Sequence, residues 1–328
     1  MDVEFIDASD WLELEWLNTG GTRAKRVLQS PQGDEWYFKR SEKKPAKNNK
    51  PEKYYRYEFW SEIIAHQLGN LLGLNVLRYD IAINRGEIGC ISPLMINKDK
   101  EQLIEVGRYM TSLNPAFLPE DNKTRNEYTF QLLEQTINEY SLTEYWSIFF
   151  QTLLFDAIIG NTDRHQENWA FLGKSTHITE VGGDSTKLQQ VQLQMTNLVG
   201  MAPIYDSGSS LGRELSKERV ESLLKDEKAL FKYINYGKAE VHWNNRKLSH
   251  FELIGQLLNS PYLEKVRFSS SFINHWDDKI VKEIVINIDN SVPEPWHSYC
   301  IPNPRKNLII KILTLRTEIL RGLLNDRI

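Results

Sequence analysis

Apolar residues along this chain change their spacing twice, and each change predicts a different kind of element. Over roughly the first hundred residues the runs are short and β-prone. "RAKRVLQS" and "EWYFKRS" lie on either side of "PQGD", the pattern of a hairpin. Trp60, Ile63, Ile64, Leu68 and Leu71 then recur at helical spacing within "YYRYEFWSEIIAHQLGNLLGL", with Gly73 placed to stop the helix. "NVLRYDIAI" and "EIGCISPLM" predict two further strands joined through "NRG".

Beyond Asp99 the spacing becomes helical. Phe130, Leu133, Ile137, Trp146, Phe149, Leu153 and Leu154 supply apolar faces across residues 124 to 159. A short β pair is expected around "WAFLG" and "VQLQMTNLVGMAPIYD". The remainder is helical and closes on the amphipathic "RKNLIIKILTLRTEILRGLL", approached through Pro293, Pro295, Pro302 and Pro304. The order predicts an α+β chain of two lobes: residues 1–98, small and β-rich with one helix, and residues 99–328, larger and mostly helical with a small β insert. The cleft between such lobes is a natural place for a ligand.

Composition narrows what such a molecule does. The 328 residues carry a formal charge of −4, so the whole chain is not an electrostatic nucleic-acid binder. The basic stretch from Lys43 to Lys53 reads as a solvated loop. Two cysteines, Cys90 and Cys300, lie far apart and support neither a disulfide framework nor a zinc site. Seven histidines include no H-E-x-x-H pair. The acidic start "MDVEFIDASDWLELEWL" is no conventional secretory signal, and no run approaches about 18 apolar residues, so a cytoplasmic protein without a transmembrane segment is expected.

The polar loops change the picture more. Phosphoryl transfer needs a phosphate cover, a cation, metal ligands and an acceptor for the substrate proton, because positioning and charge do most of the work. In "DRHQEN" four residues separate Asp163 from Asn168, the spacing between base and metal ligand in the kinase template. Such a pair is a common coincidence alone. Its place, after a long apolar helix and before "WAFL", gives it weight. Asp206 in "APIYDSGSSLG" follows a short strand and supplies the second metal ligand, beside Gly208. Lys39 in "EWYFKRS" is the strand cation, and Glu58 or Glu62 on the next helix is its partner; spacing cannot choose between them. "NTGGTRAKR" offers Gly20, Gly21, Thr22, Arg23 and Lys25 as the phosphate cover.

Together "NTGGTRAKRVL", "YFK", "YEFWSEIIAHQLGNLLGL", "GNTDRHQENWAFL" and "IYDSGSSLG" resemble the HipA-like kinases, bacterial serine/threonine kinases that include toxins of toxin–antitoxin pairs. The form resembled is the short one that lacks an extra N-terminal subdomain. The resemblance covers residues 17 to 212 at motif level and implies a two-lobed protein-kinase-like fold. It implies Asp163 as catalytic base, with Asn168 and Asp206 holding Mg²⁺ (or Mn²⁺) against ATP and Lys39 on the phosphates. Leu94, Met95 and Ile96 would form the hinge against adenine, and His165 would orient the loop or reach a phosphate. Two departures stand out: residues 173 to 200 look like an insertion, and the glycine turn lacks the Ser-rich sequence that some toxin members phosphorylate in themselves.

The reading that follows is an ATP- and Mg²⁺-dependent serine/threonine protein kinase, autophosphorylating as well, acting on a protein Ser or Thr. An antitoxin or host protein is the implied partner, and export as an effector stays open. "DRHQEN" and "DSGSSLG" are also similar to the loops of phosphatidylinositol 3- and 4-kinases, which makes a lipid kinase the second reading. A nucleotide-binding pseudokinase that acts by association is the third.

Overall fold

A computed structural model describes residues 3–14, 25–41, 43–44, 53–97, 100–119, 121–182 and 189–325. Gly20, Gly21, Thr22 and Arg23 lie outside the described residues, as does most of the Lys-rich stretch. The small lobe opens with β1 (Phe5–Asp7), β2 (Leu12–Glu13), β3 (Lys25–Gln29) and β4 (Glu35–Arg40). A two-stranded ribbon, β5 (Lys43–Lys44) with β6 (Lys53–Tyr54), leads to α1 (Glu58–Leu72). β7 (Asp80–Asn84) and β8 (Glu87–Pro93) complete a sheet in the order β1-β7-β8-β4-β3-β2.

The expected hairpins form in the expected places. β3 and β4 pair antiparallel with Lys25 opposite Lys39, and β7 and β8 turn through Arg85 and Gly86, both at positive φ. The helix also stops where glycine allows it. Gly73 sits in the left-handed region at φ 69°, and the Leu74 N–H closes onto the Gly69 carbonyl at 2.9 Å. β1 was not anticipated. It runs parallel to β7, Phe5 opposite Ile81, so the start of the chain forms a border of the sheet.

Alternation along β4 decides which side chains meet α1. Phe38 points to an outer cluster with Ala8, Leu28, Ala82 and Ile91, so Lys39 points the other way. On that inner face lie Cys90 and Ile81, packed into the main core. That core is continuous from α1 (Trp60, Ile63, Leu68) to the large-lobe residues Phe149, Phe155 and Leu313.

The large lobe holds β9 (Glu101–Glu105), α2 (Val106–Leu113), α3 (Phe130–Glu139) and α4 (Trp146–Ile159). β10 (Ala170–Gly182) and β11 (Gln189–Met201) follow, with β9 pairing on β10. Six helices finish the chain: α5 (Lys217–Lys225), α6 (Glu227–Tyr236), α7 (His250–Leu258), α8 (Leu263–Ser269), α9 (Asp278–Asn287) and α10 (Asn303–Asn325).

Two expectations need correction. The helical stretch 124–159 is broken in two places. Thr129 caps α3 by accepting from the Leu132 N–H at 3.0 Å, and Ser141 at φ 55° turns the chain before α4. Residues 173 to 200, read as an insertion beside a short β pair, are mostly two long strands. Their pairing runs from Phe171–Met201 to Gly182–Gln189 with one slip at Leu172/Gly173. β-branched residues in "STHITEV" favour strand, but their polarity hides the period.

Candidate active site

The site forms where β4, α1 and two loops of the large lobe meet. Lys39 is 5% exposed, and its amine forms ion pairs with both Glu62 and Asp206. Glu62, at 0% exposure, also takes the Ser207 N–H on Oε2 at 2.7 Å. One helix carboxylate thus holds the strand lysine and the backbone just after Asp206. Glu58, one turn earlier, is buried in an ion pair with Arg213, whose guanidinium lies 4.5 Å from the Tyr55 ring centroid. Spacing leaves Glu58 and Glu62 both open as the lysine's partner; in the fold Lys39 pairs with Glu62, and Glu58 pairs with Arg213.

Close approach of β8 to β4 shapes the lysine's strand. A Cβ on Gly89 would collide with the Lys39 carbonyl, so only glycine permits this pairing. Asp206 is fixed from the other side. Val76, just after α1, bridges in parallel to Ile204, with Ile204 N–H to Asn75 O at 2.8 Å and Leu77 N–H to Ile204 O at 2.9 Å. Asp206 itself has φ 56°, a left-handed conformation uncommon for a non-glycine residue.

The loop that carries Asp163 leaves α4 through Gly160. The Asn161 side chain donates to Asp156 Oδ1 at 3.0 Å and accepts the Asp163 N–H at 3.2 Å. Asp163 is half-buried, with Oδ2 accepting from the Ser209 hydroxyl at 3.2 Å. Asn168 ends a short 3-10 turn (Gln166–Asn168) and donates from Nδ2 to the Asp163 carbonyl at 2.8 Å. His165 is half-buried with Nδ1 3.6 Å from the Glu167 carboxylate.

Arg164 ties the two loops, a role the motif spacing did not reveal. Only 2% exposed, it makes a two-pronged ion pair with Asp156, Nε to Oδ2 and Nη2 to Oδ1, both at 2.9 Å. Its remaining donors reach the Tyr205 carbonyl, Asn168 O at 3.4 Å and Ser207 Oγ at 3.3 Å. The Asp156 carboxylate opposes burial and holds its pKa above the ordinary arginine value. Tyr205 returns the link by donating its hydroxyl to Glu167 O at 2.5 Å. The loops bearing Asp163, Asn168 and Asp206 are therefore joined through one buried guanidinium. A sequence signal existed, since Asp156 and Arg164 are the charged pair bracketing the turn, but surface loops carry such pairs too.

Beneath the loop, His250 on α7 hydrogen-bonds Asn161 O through Nε2 at 2.6 Å. Burial, then the nearby Arg316 cation, pushes its pKa down to about 3. Lys25 is the strand partner of Lys39. Leu94, Met95 and Ile96 are half-buried in the link after β8, with the Leu94 N–H on Glu35 O at 3.0 Å.

The oxygens of Asp206 and Asn168 are of the kind a hard divalent cation takes. Asp206 supplies a carboxylate and Asn168 an amide oxygen, while the Asn168 amide nitrogen is already spent on Asp163 O. Few protein oxygens are what Mg²⁺ takes when it keeps waters and phosphate oxygens.

No family model matches the chain, and neither does any curated protein. Among solved structures, a crystal structure of the Helicobacter pylori proinflammatory kinase CtkA is similar over 98% of this chain and 97% of that one, with 18% identity and TM-score 0.71. Looser likenesses are the Shewanella oneidensis HipA, HipB and operator DNA complex (11% identity, TM-score 0.47, 94% of this chain and 66% of that one) and the Golgi casein kinase (11%, TM-score 0.34, 99% and 74%). In agreement with the resemblance carried by its motifs, the chain has the two-lobed fold of the Helicobacter pylori kinase CtkA.

Proposed function

We propose that the protein is a serine/threonine protein kinase that transfers the γ-phosphoryl group of ATP with Mg²⁺. The observation that carries this reading is the ion pairing of Lys39 with Glu62 and Asp206, with the Asp206 segment tied through Arg164 to the loop that carries Asp163 and Asn168.

Lys39 offers a fixed positive charge where phosphate oxygens would gather, and Glu62 keeps its amine in place. Asp206 and Asn168 would hold the cation, which when bound offsets charge on the phosphate oxygens. Asp163 accepts the proton of the acceptor hydroxyl, and its Ser209 contact orients the carboxylate. Asn168 and Arg164 hold the backbone on either side, so that the base and the metal ligands share one rigid frame. Leu94, Met95 and Ile96, in the link after β8, would lie against the adenine.

Asp163→Asn tests the reading. It removes the proton acceptor and keeps the shape, so transfer to protein and to itself falls by roughly 10²–10⁴. Mg²⁺–ATP still raises the melting temperature of the variant. Near-normal incorporation of labelled phosphate by Asp163→Asn would overturn the assignment.

A further inference from the structure

Beside the loop that carries Asp163 lies a cavity of about 360 Å³. One wall is Thr162, next to Asp163, together with Ser209, whose hydroxyl donates to the Asp163 carboxylate. The lining also includes Tyr236, Lys238, Lys247 and Arg316. Tyr236 is 75% exposed and Lys238 is exposed at the rim.

Arg316, on α10, is the unusual member. It is 3% exposed and donates to Ala157 O at 2.6 Å, to Ile234 O at 2.8 Å and, through Nη2, to His250 Nδ1 at 3.1 Å. A guanidinium has five N–H donors, so further capacity remains. Of the buried cations, Lys39, Arg164 and Lys306 each meet a carboxylate, whereas among the described residues Arg305 donates to the Gly212 and Leu215 carbonyls and Arg316 meets no carboxylate either. Burial without a counter-charge lowers its pKa to about 10, which still leaves it charged at neutral pH. Two glycines leave room around it. A Cβ on Gly160 would stand 3.3 Å from its Cζ, and one on Gly237 3.5 Å from its Nη1.

The other charges in the wall are partly committed. Lys247 pairs with Glu240, Lys238 donates to Lys247 O at 3.2 Å, and Glu214 accepts from the Tyr233 hydroxyl at 2.7 Å. The balance in the cavity stays positive, with three cations against one carboxylate. A buried cation without its anion is costly unless a ligand supplies one.

We propose that this cavity receives an anionic side chain, a carboxylate or a phosphate, flanking the acceptor hydroxyl of the protein substrate. The inference rests on the protein-kinase reading and on Asp163 as its base. It sets the substrate class: acceptor segments with a negative neighbour fit, and segments with Lys or Arg at that position meet the like charges of Lys238 and Arg316.

The test is an array of Ser-centred peptides in which each flanking position is in turn Asp, Glu, phosphoserine, Ala or Lys. The full chain phosphorylates the array with Mg²⁺–ATP, as wild type and as Lys238→Glu and Arg316→Gln. At one position the wild type favours an anionic residue over Lys by roughly tenfold, the scale of one charge-assisted contact. Lys238→Glu and Arg316→Gln both shrink that ratio severalfold. The ratio is read within each preparation, so a general loss of activity does not disturb it. Lys238 is exposed, so its variant keeps the test informative if Arg316→Gln fails to fold. Preference for Asp and Glu assigns a carboxylate; preference for phosphoserine alone assigns a previously phosphorylated substrate. Peptides phosphorylated without anionic preference, or with a preference that Lys238→Glu leaves intact, overturn this inference alone. An array left unphosphorylated overturns the kinase reading and this inference with it.

Discussion

Glu58 and Glu62 show how a single helical turn separates two functions. Both are buried acids on α1, yet Glu62 holds Lys39 and the Ser207 amide while Glu58 holds Arg213. Glu62→Gln should therefore reduce kcat/KM for ATP by roughly tenfold or more, because a buried lysine loses its charged partner. Glu58→Gln should act on stability instead, lowering Tm by several degrees. Kinetics and thermal melts on the two variants separate these outcomes; equal kinetic losses would show that the division is wrong. The sequence could name both candidates, because a strand lysine demands an acid on the following helix. It could not choose, because residues four apart share a helix face and the deciding neighbours, Ser207 and Arg213, are far away in the chain.

Elements, in this molecule, are joined at their ends by buried polar groups. Arg164 connects the end of α4, the Asp163 loop and the strand-like segment before Asp206. Arg164→Met leaves Asp156 buried without its cation, and about 3–5 kcal/mol of unfolding free energy should be lost in urea titrations. His250 plays the neutral counterpart, linking α7 to the Asp163 loop and to Arg316 on α10. In the unfolded chain it takes up a proton near pH 6.5, in the fold only near pH 3. The unfolded state thus binds more protons across that window, so stability is full above about pH 6.5 and falls on acidification by up to about 1.4 kcal/mol per pH unit. His66 and His242, also lowered by burial, add to the same trend. Urea midpoints at neutral and acidic pH should converge in His250→Gln relative to wild type; an unchanged acid slope would remove His250 from the account. Asp163, Asn168 and Asp206 could be singled out in the sequence because phosphoryl transfer restricts both residue type and order, and the fold brings their two loops together through Arg164. The roles of Arg164 and His250 could not be read there, since a buried cross-link has no spacing rule.

At the scale of the whole molecule, the main core passes without interruption from α1 into the large-lobe helices, so the small lobe is in effect a sheet laid on a helix that the large lobe also holds. The two-lobed order could be read from the switch between strand and helix spacing. The long β10–β11 hairpin could not, because its polar residues mask alternation, and neither could β1, whose three residues gain meaning only beside β7. That three-residue strand has a practical consequence. Trimming residues 3–8 would strip the border from β7 and uncover a row of amide and carbonyl groups around Ile81 and Ile83. Such a shortened protein should self-associate, with light scattering rising with concentration while the untrimmed chain stays dispersed. Affinity handles for purification are for the same reason better fused after α10 than set against the first strand.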